Sequence, residues 1–156
     1  MKLYMKQKVF SIVDKFTVKD EEGNDKYKVE GKFSFFLKKF HIYDEKEKEL
    51  AYIEQKFSIL PKFKVFVKGE EIAEILQEFS ILKPKYKISG KNWSVSGNIL
   101  GREYKVQDSA NGNSVANIKK EWMSWGDSYL IDISDKEDEV SVLAVVLAID
   151  AALARK

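Results

Sequence analysis

Hydrophobic and polar positions alternate in short runs along most of the chain, and the alternation stops only at its last stretch. From Val140 to Ala154 the order V-S-V-L-A-V-V-L-A-I-D-A-A-L-A is apolar on every side, with Ser141 and Asp150 its only polar members. Drawn as a helix it has no stripe to offer water, so it must be enclosed. A membrane span needs ~20 apolar residues, and this run is shorter and carries a carboxylate. An amphipathic surface helix would carry a charged face, which is missing. The pattern therefore predicts a buried core helix over residues 136–154. Ser134 and Glu137 have the spacing of a capping box, Asp135, Asp138 and Glu139 place negative charge in the first turn, and Arg155 and Lys156 close the positive end.

The alternating part repeats itself. Ala51-Tyr52-Ile53-Glu54-Gln55-Lys56-Phe57-Ser58-Ile59-Leu60-Pro61-Lys62-Phe63-Lys64-Val65 returns as Ala73-Glu74-Ile75-Leu76-Gln77-Glu78-Phe79-Ser80-Ile81-Leu82 and, after one inserted residue, Pro84-Lys85-Tyr86-Lys87-Ile88. A third copy runs through Gln7, Lys8 and Phe10-Ser11-Ile12-Val13, and a degenerate fourth through Ala116, Ile118 and Trp122, with Trp125 where Leu60 stands. Tyr27, Val29, Gly31 and Phe33 match Trp93, Val95, Gly97 and Ile99 at one offset, which points to two duplicated halves. Each module suits two strands joined by a tight corner. Ala51, Ile53, Gln55 and Phe57 share one face, as do Phe63, Val65 and Val67, with Lys62, Lys64 and Lys68 opposite. Pro61 and Pro84 stand at strand starts, where a missing donor is tolerated. Glu70 to Phe79 also has helical spacing, but its likeness to a segment between clear strands makes it a strand.

Turn signals at Asp20 to Asp25, Asp44 to Glu49, Lys68-Gly69-Glu70, Ser89-Gly90-Lys91-Asn92 and Asn111-Gly112-Asn113 divide the chain into about six strands per half. The fold class expected is mainly β: a closed antiparallel barrel of about twelve strands, in two halves of six, around the C-terminal helix. Closure removes the free edges so long a sheet would expose.

At 156 residues the chain reads as a single domain, 1–156, large enough for a sizeable core. Its 27 Lys plus Arg against 25 Asp plus Glu give no nucleic-acid signature, so no nucleic-acid partner is expected. The absence of cysteine excludes disulfides, thiolate catalysis and zinc-thiolate sites, and fits a reducing compartment. Met1 to Lys8 is basic but no apolar stretch follows, so a cytoplasmic protein without a secretory signal is expected. The lone His41 has no second imidazole to share a metal or a proton relay, and reads as a surface strand residue. Acidic clusters coincide with turns, and no glycine-rich phosphate loop or nucleophile elbow occurs. No catalytic residue, cofactor or metal site is therefore expected. Trp93, Trp122 and Trp125 could form a stacking surface but read as packing.

The run Trp122-x-x-Trp125-x-Asp127-x-Tyr129-x-Ile131-x-Ile133, followed by an acidic cap and an apolar helix with an Asp near its end, resembles the LOR family. That family is similar in fold to the tubby C-terminal domain and the phospholipid scramblases. Over essentially the whole chain the resemblance implies a twelve-stranded barrel around a buried helix. Tubby domains bind phosphoinositides and scramblases act with calcium at membranes. This chain has no acidic calcium loop of scramblase type and no Cys-rich palmitoylation segment, so neither relative's site carries over.

Binding, if any, falls to the lysines. Lys83, Lys85 and Lys87 line one strand face, as do Lys62, Lys64 and Lys68, and lysines ~7 Å apart along a strand can hold a multiply charged anion. The function expected is a non-enzymatic barrel that binds an anionic phospholipid head group, at a membrane surface, or another anion. The alternative is a protein-interaction or scaffold module with no small ligand, its lysines serving solubility and edge protection. Two structural expectations complete the reading. Phe10 should superpose on Phe79 and Phe57 on Trp122, all four turned toward the helix. Asp150 should be held by a Lys, Tyr, Trp or backbone N–H donor on a surrounding strand.

Overall fold

The computed structural model describes residues 1–6, 15–34 and 37–153, of which 33 and 34 through their backbone alone. Its strands are β1 (Lys2–Lys6), β2 (Lys15–Lys19), β3 (Asp25–Ser34), β4 (Leu37–Tyr43), β5 (Glu49–Lys56), β6 (Lys62–Val67), β7 (Glu70–Glu78), β8 (Lys85–Ser89), β9 (Trp93–Asn98), β10 (Glu103–Asp108), β11 (Ser114–Met123) and β12 (Gly126–Ile133). One helix among the described residues, α1 (Glu139–Leu153), follows. Every sequence neighbour from β1 to β8 and from β9 to β12 pairs antiparallel, and β1 pairs β12, with Lys2 opposite Asp132 and Lys6 opposite Ser128. The result is one twelve-stranded up-and-down sheet rolled around the helix.

Period-two alternation explains the wall. Leu3, Val18, Val29, Ile42, Ile53, Val65, Ile75, Val106 and Ile131 are fully buried, while their chain neighbours face out. The helix fills the space they enclose, buried from Ser141 to Ala152. It lies against β5, β6 and β7, where Ala51 and Ala73 leave room, and the opposite wall makes up the distance with Trp93, Tyr104 and Tyr129. The module's repeated alanine and isoleucine thus have a steric cause: Ala51 and Ile53, Ala73 and Ile75, and Ala116 and Ile118 are all buried.

Three expectations change. Closure is incomplete: among the described residues β8 and β9 have no ladder between them, and the turn at 90–92 carries the chain across the seam. The helix begins at Glu139, because Asp138 is its cap and accepts hydrogen bonds from Ser141 N at 3.0 Å and Ser141 Oγ at 2.6 Å. Ser134 caps nothing; its carbonyl accepts from Glu137 N in a turn before the helix. Arg155 and Lys156 lie outside the described residues.

The third change concerns register. Phe57, Phe79 and Trp122 are not turned toward the helix but are 80%, 81% and 75% exposed. Alternation fails them because β5 ends at Lys56 and β7 at Glu78, so Phe57 and Phe79 already belong to the connections. Trp122 sits near the end of β11, where the strand's inward positions no longer meet a buried core. Phe10 lies outside the described residues.

Candidate functional site

An up-and-down barrel sends alternate connections to opposite ends, and here the ends differ chemically. At the near end, where α1 begins, the turns are polar: Asp20 Oδ1 accepts from the N–H groups of Glu22 and Asn24, and Asp44 Oδ1 from those of Lys46 and Lys48. These side-chain-to-backbone bonds are why Asp starts such turns. At the far end the described connections are 57–61, 79–84, 99–102 and 124–125, and none contains Asp or Glu. Gln77 N donates to Pro61 O at 2.9 Å and ties the first two of these hairpin ends together.

The six candidate lysines divide along the same axis. Lys68 is in the near-end turn between β6 and β7, with a left-handed φ of 52°, far from the others along its strand. Lys64 is neutralised: it ion-pairs with Glu71 at 3.2 Å and stands between Glu54 and Glu74 in the strand register. Lys62, Lys85 and Lys87 come together on the outer wall, and Lys83 precedes β8 above them. The register sets Lys56 opposite Lys62, Lys62 opposite Leu76, and Leu76 opposite Lys87. That row crosses four strands ~4.8 Å apart, with Lys85 two residues nearer the far end. Lys56 was not singled out from the sequence, where only the pairing of β5 with β6 could reveal it. Its ammonium lies 2.9 Å from Glu54, and the hydrogen bond holds that carboxyl below its usual range.

The tryptophans separate as well. Trp93 is core, and Trp125 folds back on the outer wall, edge-on to Tyr4 at 6.0 Å, with its Nε1–H donating to Ser128 Oγ at 2.8 Å. Gly23 is required beneath it, since a Cβ there would stand 3.0 Å from the indole. Trp122 is left unpacked. His41, on the outer face of β4, contacts Glu49 and lies beside Tyr43, with ring centres 6.1 Å apart.

Asp150 is held by a donor outside the expected set. Arg102, in the turn between β9 and β10, presents Nε at 2.5 Å from Asp150 Oδ1 and lies 5.4 Å from the centre of the Tyr129 ring. Burial pushes the Asp150 carboxyl up, and Arg102 offsets that only in part. Beside it burial also drives the Tyr104 hydroxyl well above its usual value. No group of three or more His, Asp or Glu residues suited to a metal occurs among the described residues. An open hollow of ≈ 620 Å³ on the wall of β9–β12 carries mixed charge from Glu103, Lys105, Lys119 and Asp132. No described helix is long and apolar enough to cross a membrane.

Comparison with known proteins gives the family. A model of the LURP-one-related family matches residues 1–150. The chain is 34% identical over 154 residues to the uncharacterized protein YxjI of Bacillus subtilis (strain 168), spanning 98% of this chain and 94% of that protein. An Arabidopsis thaliana protein solved by X-ray crystallography is similar in structure, with a TM-score of 0.60 over 96% of this chain and 91% of that one. At 16% sequence identity that likeness speaks for the fold alone.

Proposed function

This chain belongs to the LURP-one-related family, and we propose that it is a non-enzymatic, peripheral cytoplasmic member whose barrel wall binds a multiply charged anion, such as a phospholipid head group or a polyphosphate. The observation that carries the reading is Lys62 and Lys87 on the outer wall of β6 and β8, with Lys83 above and Lys85 beside them opposite Glu78, next to connections that hold no carboxylate. Side chains on neighbouring strands are fixed in spacing by the ladder, so several ammonium groups face one ligand without much further ordering.

Each lysine close to an anionic surface contributes about 1 kcal/mol, and screening by salt weakens all of them together. Replacing Lys62, Lys85 and Lys87 by Glu should therefore lower affinity for tripolyphosphate, or for phosphatidylserine-containing vesicles, by roughly a hundredfold or more. Lys68→Glu, at the other end of the barrel, should leave it unchanged. Titrations at low and high salt read this out. If the parent binds neither probe at low salt, the anion reading is lost and the protein-interaction module takes its place.

A further inference from the structure

Among the described residues, most of the exposed large apolar side chains are concentrated at one end. Phe57 and Ile59 in connection 57–61, and Phe79, Ile81 and Leu82 in connection 79–84, stand almost wholly clear of the protein. Leu100 and Trp122 are exposed at the same end. Connections 57–61 and 79–84 are adjacent because β6 pairs β7, and the bond from Gln77 N to Pro61 O joins their bases. Exposed apolar groups gathered this densely mark an interaction site.

The surroundings identify the partner. The apolar groups are at protruding tips, not in a groove or on a flat face, and the lysine row of β5, β6 and β8 lies directly beneath them. No carboxylate interrupts the tips. Apolar tips over lysines match the acyl boundary and phosphate layer of an anionic bilayer.

We propose that the far end is a bilayer-docking end, with connections 57–61 and 79–84 inserting Phe57, Ile59, Phe79, Ile81 and Leu82 into the interface of an anionic membrane. The barrel then stands end-on, its helix axis steep to the membrane plane. The role of the lysines rests on the anion-binding reading above, but insertion and anion binding can fail separately.

The chain has no cysteine, so single cysteines can be introduced and labelled without background. Ile59→Cys, Ile81→Cys and, at the near end, Asn111→Cys would each carry an environment-sensitive dye. With phosphatidylcholine vesicles containing phosphatidylserine, the dyes at 59 and 81 should shift to the blue and be quenched by spin-labelled acyl chains, while the dye at 111 stays unchanged. Ile59→Asp with Ile81→Asp should weaken partition by at least roughly tenfold per side chain, with thermal stability intact because both positions are exposed. Vesicle binding at parental strength in that variant, or silent dyes at 59 and 81 on bound protein, overturns insertion and leaves head-group binding standing. Apolar tips that instead join two copies of the chain in solution, with no response to vesicles, overturn it equally. Dye insertion that survives the Lys→Glu substitutions keeps this proposal and removes the anion reading.

Discussion

The pair of Asp150 and Arg102 shows what a single buried carboxylate demands of its neighbours. Asp150 is almost fully covered, whereas Arg102 keeps part of its guanidinium near water and rests on Tyr129. The two partners are therefore not equivalent. Arg102→Ala leaves a carboxylate in a dry site and should cost about 3 kcal/mol at neutral pH. Asp150→Ala frees an arginine that can turn outward, and should cost clearly less. The pH dependence follows from the raised carboxyl. Its stability contribution is complete below the unfolded value, near ~3.9, and is lost as pH rises through the higher folded value. Without Arg102 the folded value climbs further, so the deficit of Arg102→Ala should shrink on acidification. Urea unfolding across pH checks both the asymmetry and the sign. That Asp150 needed a partner was legible from an isolated Asp in an apolar helix. That the partner was Arg102 was not, since it comes from a turn 48 residues away whose position only the barrel's closure fixes.

At the scale of elements, chemistry was legible wherever it repeats locally. Alternation gave the strands, including β7, whose residues also have helical spacing; Asp and Gly marked the near-end turns, and an all-apolar run gave the helix. The far-end connections stayed hidden for the opposite reason. Phe57-Ser58-Ile59-Leu60 and Phe79-Ser80-Ile81-Leu82 carry no turn residues ahead of Pro61 and Pro84, and in a one-dimensional pattern exposed apolar tips look like core. Two of the four copies that seemed to demand inward packing instead place equivalent residues on the same exposed rim. The cap was misplaced through a similar ambiguity, because Ser134, Asp135 and Asp138 can all cap a helix and only geometry decides. Asp138→Ala removes the acceptor of Ser141 N and should cost about 1 kcal/mol, while Ser134→Ala should stay within a few tenths. Tyr27 O–H donates to Glu139 at 2.5 Å and Lys26 pairs with the same carboxylate at 2.8 Å, so the first turn keeps other anchors and the loss should not unfold the protein. Thermal denaturation of the two variants distinguishes the caps.

For the whole molecule, the seam between β8 and β9 gives Lys85 and Lys87 a second physical role. With no ladder to β9 among the described residues, β8 stands at the end of the strand order, and long lysines on such a strand discourage another chain from adding to it. The turn that spans the seam is tightly held: Gly90 has a φ of 90°, and a Cβ there would lie 2.6 Å from Ile72 O. The helix packs on β5–β7, to one side of the seam. Edge protection and anion binding predict different results for different substitutions, because any charge guards an edge while only a cation attracts an anion. Lys85→Glu with Lys87→Glu should keep the parent's oligomeric state and lose affinity for tripolyphosphate. Lys85→Val with Lys87→Val should lose the same affinity and also self-associate, since a β-branched edge strand is a template for pairing. Analytical ultracentrifugation of the two variants, beside the tripolyphosphate titration, separates the roles. An unchanged oligomeric state in the valine variant would mean that the seam is already shielded by β9 and that these lysines serve the ligand alone.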